Sequence, residues 1–439
     1  MQKKLVLVVV DGMTPAAFER AVESGRAPGL AFLAEHGDYR TATSVFPSLT
    51  PVCLTSIATG AGSGVHHIPS LVWWDRQERR IVEYGSSFAA LRAAGLSQSL
   101  VDTIFNMNER HLSRNASTVY EALEDAGLVA GAVNITCYRG RHRYLPTVPG
   151  LHRAVHGPRR FFFYGLFESD RTGAPFAVRS RRAGSVDAYA SAVGRWLVTR
   201  DGFDFLTYYL SGYDFASHAA GPHGEAAERA LEQADAAIRV LLDAAGGPDQ
   251  FLERYAMVLL SDHGQTPVEH AVRLEEKFAD LEGQVVVTAS NRAGQVYLLP
   301  GTRIDTAELA RRLDGFPAVD VTLRREGEEI VARRDGADGP VEKLEHPDVA
   351  WRARSALANP NAGELLVSAA EGWELTDLGG RHHAGGGSHG SLVAGDSFVP
   401  VVTVGLKAEL RKITDVAPAV LAHFGVTVPE SMEALAGVG

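Results

Sequence analysis

The stretch Leu5-Val-Leu-Val-Val-Val10-Asp11-Gly12 decides the fold. Its valine-rich apolar run has no polar face, the mark of a parallel strand covered on both sides. The run stops at Asp11-Gly12. In open α/β sheets, ligands gather beyond the carboxyl ends of strands, so Asp11 stands where sites form. Alone, an Asp after a strand is more often a turn or cap residue. Two more runs of this kind follow. Phe203–Leu210 leads to Asp214 and His218, and Tyr255–Leu260 leads to Ser261-Asp262-His263-Gly264. Phe398–Val404 reads as a late strand.

Helical patterns separate these strands. Pro15–His36 has a break near Pro28-Gly29, and Ser117–Gly127 has Ser117 as its expected N-cap. Ser185–Val198 and a segment reaching Ala245 are helical, and Asp415–Phe424 closes the chain, with Gly425 as its stop. The fold class expected is α/β: a mostly parallel central sheet flanked by helices, with inserted cap and α+β regions. Residues 1–84, 191–269 and 381–439 are read as catalytic core. Residues 85–190 are read as core elements with a cap-like insertion, in which 145–185 and its run Phe161-Phe-Phe-Tyr164 form the cap. Residues 270–380 are read as an inserted, smaller α+β region.

Composition narrows the function. The chain has 439 residues, a formal net charge of −10 and 45% hydrophobic content. That suits a large buried core and argues against a general binder of nucleic-acid polymers or anionic membranes. Two cysteines, Cys53 and Cys137, make neither a disulfide framework nor a cysteine zinc site. No apolar run is long enough to span a membrane. Lys3-Lys4 before Leu5–Val10 imitates a signal peptide, but the run is short and has no small-residue cleavage site. The expected location is cytoplasmic.

A second stretch carries the chemistry: Phe46-Pro-Ser-Leu-Thr50-Pro51, then Val52–Thr59, then Gly60. It reads as a loop feeding a helix closed by a C′ glycine. Ser48 or Thr50 then lies near a helix N-terminus, where free N–H groups favour an anion and a hydroxyl can be held for attack. An ordinary Ser/Thr cap before a buried helix fits the same residues.

Asp11, Asp214, His218, Asp262, His263 and His389 all fall at strand ends or adjoining loops. Asp-x-x-x-His spacing puts Asp214 and His218 on one face of a helical turn. Asp262 and His263, being adjacent, reach one ion only from irregular backbone. Carboxylate with imidazole suits Zn²⁺, then Mn²⁺ or Fe²⁺. Six such ligands exceed one tetrahedral site and fit two ions sharing a substrate oxygen.

With these motifs in order, the sequence resembles the alkaline phosphatase superfamily, and within it the nucleotide pyrophosphatase/phosphodiesterase (type I phosphodiesterase) branch. The motifs are Val9-Val10-Asp11-Gly12; Pro47-Ser-Leu-Thr50 with Ile57-Ala-Thr-Gly60 and His66; Asp214-x-x-x-His218-x-x-Gly221-Pro222; Ser261-Asp262-His263-Gly264; and Ser388-His389-Gly390. The resemblance implies one zinc held by Asp214, His218 and His389. It implies a second held by Asp11, Asp262 and His263 together with Thr50, the nucleophile that forms a phosphothreonine intermediate. The implied activity is hydrolysis of a small phosphodiester. Phosphomonoester or phosphonate hydrolysis, or a non-catalytic metal-binding module, are the alternatives. The phosphodiesterase branch has an Asn soon after its His-Gly-Ile loop. Here the loop reads His66-His67-Ile68-Pro69-Ser70-Leu71, with Ser70 as a substitute. Ser70, Leu71, Trp73 and Arg141 are the expected substrate contacts, with Phe46 and Trp74 adding apolar surface. The oligomeric state is left open.

Overall fold

The computed structural model describes residues 2–173 and 185–435. Lys4–Val10 is the strand its apolar run predicts, buried from Leu5 onward. It lies between Tyr255–Leu260 and Phe205–Leu210, parallel to both. Ala130–Val133 and then Arg160–Phe163 extend the parallel set. Three strands joined by antiparallel pairings complete eight: Phe398–Val404 and, outside it, Asp38–Thr43 on one side, Phe167–Glu168 on the other. The central sheet is therefore mostly parallel, as expected.

Alternation along the first strand explains why the whole run is apolar. Leu5, Leu7 and Val9 join a core formed with the helices Thr50–Thr59, Val119–Asp125 and Val416–His423. Val6, Val8 and Val10 face a second core, against Pro15–Glu23, Pro28–His36, Ser185–Thr199 and Glu225–Ala244. Neither face meets water, so neither needs a polar residue.

Two expectations shift. Thr118, not Ser117, caps the helix Val119–Asp125. Its hydroxyl accepts from Glu121 N at 3.1 Å while the Glu121 carboxylate accepts from Thr118 N at 3.0 Å. The run Phe161-Phe-Phe belongs to the central sheet rather than to a cap, since Arg160–Phe163 pairs in register with Gly131–Val133. A short apolar run flanked by Pro, Gly and Arg hides a buried strand. Residues 174–184 of that expected cap lie outside the described residues.

A second sheet of six strands, all antiparallel, spans 285–369 in the order Val285–Ser290, Ala293–Leu298, Leu365–Ala369, Val319–Glu326, Glu329–Arg334, Ala337–Pro340. Its first hairpin turn, Asn291-Arg292, reaches the carboxyl edge of the central sheet, where Arg292 N donates to His389 O at 2.9 Å.

Candidate metal and phosphoryl-transfer site

Asp11 follows its strand directly, and Gly12 after it is left-handed, with φ +68°. That conformation favours glycine, and space demands it too: a Cβ at Gly12 would lie 2.8 Å from Asp214 Oδ1. Gly12 thus lets a second carboxylate come close to the first, and its N–H donates to Asp262 Oδ1 at 3.2 Å. Asp214 and His218 lie on the helix Gly212–Ala220, one turn apart. Asp262 and His263 leave the strand Tyr255–Leu260 in irregular backbone, which lets adjacent side chains converge.

The six residues form two groups, Asp214–His218–His389 and Asp11–Asp262–His263, with one ligand atom of each member within 4.8 Å of the others. His218 Nε2 lies 3.2 Å from Asp214 Oδ2, and His263 Nε2 lies 3.2 Å from Asp11 Oδ1. The His263 and His389 rings stack at 3.6 Å, so the two groups are neighbours. Each imidazole is oriented from behind by a backbone carbonyl that only accepts: Nδ1 of His218 faces Gly387 O at 2.8 Å, that of His263 faces Gly264 O at 3.0 Å, and that of His389 faces Ser48 O at 2.8 Å. Nδ1 is the committed N–H in each, and Nε2 is the nitrogen left to the cluster.

Charge is unbalanced here. Among the described residues, every ion-pair partner of Asp11, Asp214 and Asp262 is a histidine. Asp11 Oδ1 and Asp262 Oδ2 are buried and accept no hydrogen bond. Burial, then the neighbouring Asp11 charge, holds the Asp262 carboxyl well above the usual range, and burial with Asp214 raises Asp11. Burial opposes charge on His263, yet Asp262, Asp11 and Asp214 push it up to about 10. Burial, then His263, holds His389 well below the imidazole range. Buried carboxylate oxygens without partners, beside outward-held imidazole nitrogens, fit divalent cations.

Thr50 opens the helix Thr50–Thr59, which Leu49 precedes without a side-chain cap. The first-turn N–H of Thr50 has no partner among the described residues. Its Oγ1 lies 3.1 Å from His263 Nε2. Ser48 points elsewhere: it is fully buried, and its hydroxyl donates to Ser391 O at 3.1 Å.

The expected substrate contacts fare differently. Ser70 is buried and Leu71 half-buried. Trp73 is 2% exposed, with its ring edge-on to His111, so it offers no surface to a ligand; Phe46 is likewise interior. Arg141 is committed to Asp125 at 2.6 Å and Glu121 at 2.9 Å, which removes it from the substrate contacts. Arg139 is buried, bound to Glu121 and to the carbonyls of Leu112 and Ser113. Arg139 is thus a structural pin, whereas Arg141 lies exposed at the surface on its carboxylate partners.

Three residues beside the ligands escaped the sequence reading. The Tyr209 hydroxyl donates to Asp11 Oδ2, Gln265 Nε2 donates to Asp214 Oδ1 at 2.9 Å, and Asn291 Nδ2 lies 3.3 Å from His389 Nε2. Tyr209 and Gln265 stood near the motifs as ordinary strand-end polar groups. Asn291, far away in sequence, gave no signal.

An α/β sheet with two carboxylate–imidazole groups and a hydroxyl at its carboxyl edge fits a metal-dependent hydrolase. The family model for type I phosphodiesterase / nucleotide pyrophosphatase matches residues 5–392, and the chain belongs to that family. No curated protein matches the sequence at a significant level. Among solved structures it is similar to phosphonoacetate hydrolase from Sinorhizobium meliloti 1021, in complex with phosphonoformate, at 20% identity and a TM-score of 0.67 over 96% of each chain. It is also similar to murine ectonucleotide pyrophosphatase/phosphodiesterase 5, at 14% identity and a TM-score of 0.65 over 97% of this chain and 96% of that one. Both likenesses concern the fold.

Proposed function

We propose that the chain is a zinc-dependent phosphodiesterase acting on small molecules, with Thr50 as nucleophile. The observation that carries this reading is Thr50 Oγ1, 3.1 Å from His263 Nε2, at the open N-terminus of a buried helix. Asp214, His218 and His389 would hold one ion, and Asp11, Asp262 and His263 the other. Bound there, the pair supplies Lewis acidity for nucleophile and leaving group. Thr50 Oγ1 gives up its proton to solvent and forms a bond to phosphorus as the bond to the ester oxygen breaks on the opposite side, and the departing oxygen takes up a proton from solvent. The product is a threonyl phosphate ester, which water hydrolyses, restoring the hydroxyl. The Thr50 N–H and the helix dipole favour the anion throughout. A threonine-to-alanine variant of the murine enzyme, described as inactive and solved with AMP, supports both the residue type and a nucleotide-like substrate.

A diester is favoured over a monoester or a phosphonocarboxylate. The added charge of those substrates calls for a cation, and the basic residue expected at the substrate, Arg141, is spent on Asp125 and Glu121. Among the described residues no helix is long and apolar enough to cross a membrane. Two buried free thiols, Cys53 and Cys137, support a reducing, cytoplasmic setting. The test compares kcat/KM for the p-nitrophenyl ester of a nucleoside monophosphate, p-nitrophenyl phosphate and phosphonoacetate, with zinc added. The diester is expected to lead. A monoester or phosphonate advantage of about tenfold, about 1.4 kcal/mol in transition-state binding, overturns the substrate class.

A further inference from the structure

Asn291 sits in the hairpin turn between Val285–Ser290 and Ala293–Leu298, in the second sheet. It is 6% exposed and left-handed, with φ +56°. The turn is tied down on every side. Leu375 N donates to Asn291 O at 2.7 Å, and Arg292 N donates to His389 O at 2.9 Å. The Arg292 guanidinium is fully buried on Asp396 at 2.8 Å. Gly390, at φ +121°, permits the close approach: a Cβ there would meet Leu49 at 3.0 Å and Arg292 N at 3.3 Å. The turn, the His389 loop and the residue before Thr50 therefore pack as one unit.

The side chain has a defined orientation within this unit. His389 Nδ1 donates to Ser48 O, so its Nε2 accepts; this assigns the Asn291 NH₂ to the side of His389 Nε2, 3.3 Å away, and leaves Oδ1 to accept from Ser290 Oγ at 2.8 Å. That nitrogen is the Asn291 amide's one acceptor among the described residues. It is also the lone pair that the His389 tautomer presents to a cation, because Nδ1 is committed to Ser48 O. A lone pair given to a cation no longer accepts from an amide. A buried NH₂ then needs another acceptor at the same place. In a phosphoryl-transfer site, the oxygen that comes there belongs to the substrate.

Resting on the reading of Thr50 as nucleophile toward phosphorus, we propose that the Asn291 amide donates a hydrogen bond to a non-bridging oxygen of the phosphoryl group under attack. The second sheet thereby contributes a substrate contact to a site otherwise built by the first. The amide is neutral. It suits a singly charged phosphodiester better than a guanidinium would, and it stiffens the phosphoryl group relative to Thr50.

The test uses the full, zinc-loaded chain and two variants. Asn291→Gly removes the side chain at a left-handed position that glycine tolerates. Asn291→Asp keeps the shape and the acceptor for Ser290 but loses the donor. Three quantities are measured: metal per chain, the dissociation constant of inorganic phosphate by calorimetry, and kcat/KM for the aryl diester. Both variants are expected to keep the wild-type metal content, to bind phosphate roughly tenfold or more weakly, and to lose about 10²-fold in kcat/KM. Phosphate binding and kcat/KM within about twofold of wild type in either folded variant overturn the inference. Loss of a metal equivalent in Asn291→Gly also overturns it, by making the residue a ligand. If Asn291→Gly does not fold, Asn291→Asp decides alone. A wild-type protein that binds phosphate but hydrolyses no phosphoester defeats the underlying reading, an outcome distinct from an unaffected variant of an active enzyme.

Discussion

Thr50 and Ser48 are two residues apart and chemically alike, yet the structure separates them. Thr50 Oγ1 faces His263, whereas the Ser48 hydroxyl is turned to Ser391 O, and the Ser48 carbonyl receives the Nδ1 proton of His389. Thr50→Ala is therefore expected to lower kcat by roughly 10⁴-fold or more, with metal content and folding retained because Asp11, Asp262 and His263 remain. Ser48→Ala removes one buried hydrogen bond and leaves its backbone carbonyl in place. It is expected to cost about 1 kcal/mol of stability and to keep most of the activity. Steady-state kinetics of the two variants side by side decide between them. An active Thr50→Ala beside a dead Ser48→Ala moves the nucleophile to Ser48.

The helix Gly212–Ala220 carries Asp214 and His218, and its start is held from outside. Asp187, on the helix Ser185–Thr199, accepts from Ser211 N at 3.0 Å and Gly212 N at 3.2 Å. Burial raises the Asp187 carboxyl to about 6 against the pull of those two N–H groups. A raised carboxyl binds its proton more tightly in the folded chain than in the unfolded one, so stability falls as pH climbs from near 4 through about 6 and then levels off. The effect amounts to about 3 kcal/mol at most. Asp187→Asn keeps an acceptor and cannot ionise. Urea unfolding at pH 5 and pH 7.5 is expected to show a smaller loss between the two for this variant than for wild type. An unchanged or steeper loss means that Asp187 is not the group responsible.

At this same scale the limits of sequence reading become visible. The candidate ligands Asp11, Asp214, His218, Asp262 and His263 were legible because they come after apolar runs whose burial on both faces is readable, and because strand ends converge on one edge. Asn291 was not legible: its role depends on a hairpin from another sheet docking at His389. Arg141 was expected at the substrate, but its partners Glu121 and Asp125 lie on a preceding helix and no local spacing announces the pairs. Trp73 followed composition toward a ligand surface, but tertiary packing placed it against His111 in the interior.

Over the whole molecule, the two ligand groups draw on three strands of the central sheet and on the loop after 380, and Asn291 adds the second sheet. Segments distant in sequence meet around three carboxylates whose ion-pair partners among the described side chains are all histidines. Divalent ions that bind the folded chain alone stabilise it by linkage, so removing them lowers both activity and melting temperature together. The decisive measurement is metal content, diesterase activity and Tm on one preparation purified without chelator, then dialysed against a strong chelator, then titrated with zinc. Close to two equivalents at the start are expected, with loss of activity and a Tm lower by several degrees after chelation, and recovery of both as two equivalents of zinc return. A chain that carries no transition metal, or that stays fully active after long dialysis against the chelator, contradicts a metal-dependent attack by Thr50.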